Sequence, residues 1–227
     1  MKSKVIAIDG PSGSGKSTIT KLIAEKLGLI YLDTGAMFRA IAFHLDENNI
    51  LSSEITKIEN ELENMNFQYA KDESHLVEIN GKNLTQKIRE HQVSELASIY
   101  SKVPRVREYL KNLQRKIAGE RPSILEGRDI GTVIFPDAAL KFFLTADPKI
   151  RAERRLQQIK EKDPTTNLTV ESIFEDIVER DKSDQQRAIA PLVKAEDAKE
   201  INTTSMTIEE VVSFVCSEYK NSQDLFN

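Results

Sequence analysis

Eight consecutive residues, Gly10-Pro11-Ser12-Gly13-Ser14-Gly15-Lys16-Ser17, carry the spacing glycine, four residues, Gly-Lys-Ser. A loop of this kind can hold a phosphate. Its glycines let the backbone curl until several N–H groups point at one anion, and a helix starting near Lys16 adds the positive end of its dipole. Lys16 has the reach for the β- and γ-phosphates of a nucleoside triphosphate, and the Ser17 hydroxyl suits Mg2+. An apolar run, Val5-Ile6-Ala7-Ile8, precedes the loop, and Ile19, Leu22, Ile23 and Leu27 follow it at helical spacing. That strand–loop–helix context is the one the motif requires. The loop speaks for triphosphate binding and leaves open what becomes of the triphosphate.

A small-molecule kinase needs a second anion site facing the first, and the planar donor fork of arginine is suited to build it. The arginines are unevenly spread, with none between 40 and 88. Arg39 follows a second apolar run, and Arg105 and Arg107 open a helix after Pro104. Arg128 follows a third apolar run, at the strand end where open α/β sheets bind ligands. Arg151, Arg154 and Arg155 share a helix face at i, i+3 and i+4. Only Asp147 stands four residues before Arg151, so three positive charges crowd and a functional role is favoured over a solvated face. Arg180, Asp184 and Arg187, at i, i+4 and i+7, share another face on which alternating charges satisfy one another. Other users of such a loop fit less well. The guanine-reading Asn-Lys-x-Asp segment is missing from the sequence, and Ser123-Ile124-Leu125-Glu126 is the nearest approach to the acidic strand end of a motor or helicase.

The elements that must position these residues follow from the pattern. At 227 residues the chain is long enough for one core domain with an insert. Apolar runs at 5–8, 29–32, 123–126, 140–145 and 200–203 predict buried strands alternating with helices, hence a parallel α/β sheet. Helices are predicted over 17–27, ended by Gly28, and through Met37, Ile41 and Leu45. Asp147-Pro148 reads as a cap followed by proline in the first helical position, and Thr207 with Glu210 as a capping box opening the last helix. The alternation breaks at about 62–90, where short strands at 67–70 and 76–79 and the pair Asn80-Gly81 predict a small antiparallel insert. Hydrophobic residues at 39% and charged residues at 30% exclude wholesale disorder. A net charge of −4 is a poor match for sequence-independent nucleic-acid binding. The lone cysteine, Cys216, forbids an intrachain disulfide, and the four apolar residues near the N-terminus are too few for a signal peptide or a membrane span. A cytoplasmic protein without membrane or nucleic-acid partners is expected.

Taken together, five segments resemble bacterial cytidylate kinases. They are the loop at 10–17, Leu32-Asp33-Thr34-Gly35-Ala36-Met37, Pro104-Arg105-Val106-Arg107, the run from Glu126-Gly127-Arg128-Asp129-Ile130-Gly131 to Pro136-Asp137, and Arg187-Ala188-Ile189-Ala190-Pro191-Leu192. The resemblance covers about 4–216. It implies a P-loop kinase fold: a five-stranded parallel sheet flanked by helices, with the β-rich insert in the monophosphate-binding region and a short helical lid. In these terms 1–34, 104–150 and 188–220 form the core, 35–103 the monophosphate region and 151–187 the lid with its flanking helices. The implied activity is phosphorylation of CMP and dCMP by ATP with Mg2+, by a monomer. The ATP phosphates would lie on Gly10, Pro11, Ser12, Gly13, Ser14, Gly15, Lys16, Ser17 and Thr18, with Ser17 as metal ligand. Ser98, Arg107 and Asp129 would read cytosine, and Thr34 and Gly127 would border the CMP site. Arg39 and Arg128 would clamp its phosphate, and Arg180, Asp184 and Arg187 would lie by the sugar. Lys16, Arg128, Arg154, Arg180 and Arg187 would form the catalytic set, Arg154 from the lid with Arg151 and Arg155 as rivals.

Two positions depart from the family pattern. Phe38 stands where many relatives have a tyrosine that can bond the CMP phosphate, and Asn202 where relatives often have aspartate. A phosphate monoester is largely dianionic at neutral pH, its second pKa being about 6, so the acceptor needs no general base. That fits His44, His75 and His91, which match no motif and are expected in surface or packing roles. Rival readings are a kinase for another small acceptor, such as shikimate, a coenzyme A precursor or AMP, and a nucleotide switch without catalysis. A switch has no use for a second anion pocket.

Overall fold

The computed structural model describes residues 2–72, 75–119 and 121–226. In chain order the elements are β1 (Ser3–Asp9), α1 (Lys16–Leu27), β2 (Ile30–Asp33), α2 (Thr34–Glu47), α3 (Ile55–Asn64), β3 (Phe67–Asp72), β4 (His75–Ile79) and β5 (Lys82–Asn83). They continue with α4 (His91–Tyr100), α5 (Pro104–Ala118), β6 (Ser123–Gly127), β7 (Ala138–Thr145), α6 (Pro148–Lys162), α7 (Val170–Gln185), β8 (Lys199–Asn202) and α8 (Ile208–Asn221). The chain divides into two compact units, Met1–Leu32 with Ala118–Asn227, and Asp33–Ile117.

The first unit is built on a parallel five-stranded sheet of order β2-β6-β1-β7-β8. β1 and β6 are buried on both faces, which is why they read as unbroken apolar runs rather than alternating ones. Ile6, Ile8, Ile124, Phe142 and Leu144 of the sheet pack with Ile19 and Ile23 of α1 and Val211 and Val215 of α8. Each such side chain, fully buried, contributes about 1.5–3 kcal/mol. Register pairs Ile8 with Glu126 and Asp9 with Gly127, so the phosphate loop leaves β1 beside the point where Arg128 leaves β6. Asp147 caps α6 by accepting the Lys149 and Ile150 N–H groups, and Thr207 and Glu210 form the expected capping box on α8.

The second unit packs α2, α3 and α4 with a three-stranded antiparallel sheet of order β3-β4-β5. Asn80 and Gly81, at φ 51° and 81°, form the tight turn between β4 and β5. The expected insert is met here, though Leu62 and its neighbours at its start finish α3 instead. Met37, Ile41, Leu45, Ile58, Ile79 and Ile88 are fully buried in this unit. His44 bonds Glu61 at 2.6 Å, a packing role, while the side chains of His75 and His91 lie outside the described residues. No helix among the described residues is long and apolar enough to cross a membrane.

Candidate active site

The phosphate loop is shaped by two close approaches. Gly10 has φ 151°, and a Cβ there would stand 2.2 Å from the Leu144 carbonyl oxygen. A Cβ on Gly13, at φ 75°, would stand 3.1 Å from Cβ of Arg151. Gly15, also left-handed, precedes α1, and no side chain caps that helix among the described residues. Its first N–H groups are therefore left for an anion. Lys16 is 6% exposed and donates to the Pro11 carbonyl at 2.6 Å and to Ser14 Oγ at 3.3 Å. Burial, and then repulsion from Arg128, push its ammonium well below the usual lysine range, against the pull of Glu126 and Asp9.

Two buried carboxylates flank the loop. Ser17 Oγ donates to Glu126 Oε2 at 2.7 Å, and the Tyr31 hydroxyl donates to Glu126 Oε1. Asp9 accepts the Ile130 N–H at 2.9 Å on one oxygen and the Gly131 N–H at 2.7 Å on the other. Burial raises the Asp9 carboxyl to about 6, with Asp129 adding to the rise and the two backbone bonds and Lys16 opposing it. Asp9 and Tyr31 were not foreseen from the sequence, and Glu126 only as a weak strand-end acid. The Ser17 oxygen, oriented by Glu126, suits a hard cation that takes its other ligands from water and phosphate. Among the described residues no group of three His, Cys, Asp or Glu forms a self-contained metal cage.

Three of the arginines expected at a second anion site, Arg128, Arg180 and Arg187, lie in the same unit, while Arg39 belongs to the other. Arg128 Nε donates to Asp184 Oδ2 at 3.0 Å, and Arg187 stands 3.7 Å from Oδ1. Burial alone would raise the Asp184 carboxyl; Arg128, Arg187 and Arg180 outweigh it and hold the group below the ordinary carboxylate range. Arg187 does not share the expected helix face with Arg180 and Asp184. α7 ends at Gln185, so Arg187 lies beyond it and reaches Asp184 from the following loop while donating to the Ala190 carbonyl. Arg128 and Arg180 also repel Lys16, which places these cations around the loop's own charge. Asp129 is buried and acts electrostatically on Asp9.

On α6 the expected crowding of three arginines is relieved from another helix. Arg151 Nη2 donates to Asp181 of α7 at 2.6 Å, Nη1 to the Ser12 carbonyl at 2.9 Å and Nε to the Ala146 carbonyl at 3.0 Å. The partner sits 30 residues away, outside any i,i+4 search. Arg154 donates to the carbonyl of Thr203 at 2.7 Å and to its hydroxyl at 3.2 Å, and that hydroxyl lies 3.3 Å from the Ser14 carbonyl. Arg155 is half-buried on the same helix. Asn202 accepts the Thr204 N–H at 3.0 Å, a bond an aspartate oxygen would make equally well.

In the second unit Asp33 caps α2 through the Ala36 N–H at 2.7 Å and pairs with Arg39 at 3.3 Å. Thr34 is buried in the first turn of α2. Phe38 presents its ring to Arg107, whose guanidinium carbon lies 5.4 Å from the ring centroid. A phenyl face serves that cation–π contact as it stands, without a hydroxyl. Arg107 is buried and donates to the Ser101 carbonyl at 3.1 Å, and Ser98, half-buried on α4, accepts the Ser101 hydroxyl on its carbonyl at 3.0 Å.

Residues 6–221 match the family model described as cytidylate kinase. A cytidylate kinase of Fervidobacterium nodosum is 46% identical over 91% of this chain and 92% of its own. One from Caldicellulosiruptor saccharolyticus is 47% identical over 95% of both chains. A bifunctional pantoate ligase/cytidylate kinase of Prochlorococcus marinus is 44% identical over 96% of this chain, which spans 42% of that longer protein.

Proposed function

The chain belongs to the cytidylate kinase family, and on that premise we propose that it transfers the γ-phosphoryl group of ATP to CMP or dCMP, giving ADP and CDP or dCDP. The observation that carries the reading is the gathering of Lys16, Arg128, Arg180 and Arg187 in one unit, with the lysine destabilised as a cation and Asp184 holding two of the arginines. Arg128 and Arg180 repel Lys16 within this cluster, and the phosphates of two nucleotides would relieve that repulsion.

In this reading the backbone of 10–18 and Lys16 cradle the ATP phosphates. A dianionic CMP phosphate oxygen attacks the γ-phosphorus in line, and the bond to the ADP oxygen breaks on the opposite side. Nothing has to remove a proton. The chain's work is to bring two anions together and to spread the charge of the transferred group, which falls to Lys16, Arg128, Arg154, Arg180 and Arg187. Ser17, oriented by Glu126, would hold Mg2+, which would supply further positive charge to the phosphates. Arg39 and Arg128 hold the CMP phosphate, and Arg180, Asp184 and Arg187 lie by the sugar. Ser98, Arg107 and Asp129 read the base, with Thr34 and Gly127 bordering it. A carboxylate suits the cytosine amino group, which uracil lacks. Residues 35–103 serve the monophosphate and 151–187 cover ATP, excluding water that would compete as acceptor. A cytoplasmic monomer is part of the same reading and rests on the family likeness.

The test is product identification by 31P NMR after mixing the protein with ATP, Mg2+ and CMP. ADP and CDP formed in equal amounts are expected, with Lys16→Met slower by orders of magnitude at unchanged fold. ADP and free phosphate without CDP, or normal turnover in Lys16→Met, would contradict the proposal.

A further inference from the structure

Arg151 is 3% exposed and spends its donors on three different elements: the end of β7 at Ala146, the phosphate loop at Ser12, and α7 at Asp181. The loop also packs directly on it, since even a methyl group at Gly13 would stand 3.1 Å from its Cβ and 3.2 Å from its carbonyl oxygen. On the far side, Asp181 follows Arg180 in the chain and lies one turn before Asp184, the carboxylate that holds Arg128 and Arg187. The other Asp181 oxygen, Oδ1, is buried without a hydrogen-bond partner among the described residues. The carboxylate is therefore secured through Arg151.

A guanidinium is planar and rigid. With one Nη on the Ser12 carbonyl and the other on Asp181, a shift of the loop must either carry α7 with it or leave a buried bond broken, which is costly. The same commitment of donors leaves Arg151 poorly placed to serve as a ligand of ATP. We propose that Arg151 is a positioning residue that couples the phosphate loop to α7, so that filling the ATP site tightens binding of CMP. This rests on the reading of the protein as an ATP:CMP kinase.

The test measures the CMP Kd by calorimetry on the full chain, with and without Mg2+ and a non-hydrolysable ATP analogue, for wild type, Arg151→Lys and Asp181→Asn. Thermal melts confirm folding. Coupling between sites commonly amounts to about 5–150-fold, and about tenfold tightening is expected in the wild type. In each variant CMP alone should bind within about twofold of wild type, with the tightening reduced to less than about twofold. By reciprocity, CMP should tighten the analogue by the same factor in the wild type. Tightening retained in both variants overturns the proposal, as does a wild type that binds both ligands independently. If neither variant folds or binds CMP without the analogue, Arg151 is a structural prop and the proposal falls. A wild type that binds no CMP at all overturns the functional reading as well, which separates the two failures.

Discussion

Ser17 and Glu126, 109 residues apart in the chain, are joined by a hydrogen bond of 2.7 Å in which the hydroxyl donates and the carboxylate accepts. The parallel register of β1 and β6 makes the pair, and Tyr31 holds the second carboxylate oxygen. With its proton committed to Glu126, the Ser17 oxygen keeps its lone pairs for another partner, as the proposed role of metal ligand requires. Changes just outside a metal's own ligands typically cost about 10–100-fold in affinity. Glu126→Gln is therefore expected to raise the Mg2+ concentration for half-maximal turnover by about tenfold or more. A Mg2+ titration at fixed ATP and CMP reads this directly, and an unshifted midpoint would remove Glu126 from the metal site.

Asp9 makes stability depend on pH. Its folded-state pKa of about 6 lies above that of an unfolded aspartate. The folded protein then binds the proton more tightly, so the favourable contribution is present at acid pH and is lost as pH rises from about 4 through 6. A shift of this size corresponds to roughly 3 kcal/mol. Asp9→Asn cannot ionise and also gives up one of the two acceptors for Ile130 and Gly131. The variant should be less stable than wild type at pH 4.5, with the deficit shrinking by about 2 kcal/mol by pH 7.5, because part of the linkage is already lost at pH 4.5. Urea unfolding of both proteins at the two pH values checks the sign.

Gly10→Ala places a methyl group 2.2 Å from the Leu144 carbonyl, in a backbone conformation that alanine rarely adopts. The obstacle is backbone of β7 and cannot rotate away. A loss well above 1 kcal/mol, about 2–4, is expected in denaturant melts, with weaker ATP binding as the loop is displaced. Gly28→Ala is the control. It shares the left-handed conformation and meets nothing within 4 Å, so it should cost about 1 kcal/mol and leave nucleotide affinity unchanged.

Asp184→Asn keeps the shape of the side chain and removes the charge that Arg128, Arg187 and Arg180 face. Breaking such a buried arrangement costs about 3–5 kcal/mol, less here because Arg128 is partly exposed. The orphaned cations should then favour any anion. Millimolar inorganic phosphate is expected to raise the Tm of the variant more than that of wild type, and an equal rise in both would show that these arginines do not form one anion site.

The parts of this molecule that follow local rules were legible in the sequence. The phosphate loop, the caps at Asp147 and Thr207, the turn at Asn80-Gly81 and the buried strands each depend on neighbours a few residues away. Asp9 and Glu126 were not legible in this way. A single acid at the end of an apolar strand carries no spacing, and its partners, Ile130 for one and Ser17 for the other, are set by sheet register. Arg151 misled for the same reason, because its acidic partner belongs to the next helix. Arg187 obeyed helical spacing on paper, but α7 ended two residues earlier and the loop delivered it to Asp184 instead.

The most direct test of the central claim is ADP release from ATP and Mg2+ with CMP, dCMP, UMP, AMP, GMP or no acceptor compared side by side. Rapid release with CMP and dCMP, weak release with UMP and almost none otherwise is expected, and Asp129→Ala should narrow the gap between CMP and UMP in kcat/KM. Release that no cytidine nucleotide stimulates above the acceptor-free rate would contradict the account, leaving a triphosphate-binding loop without the acceptor assigned to it.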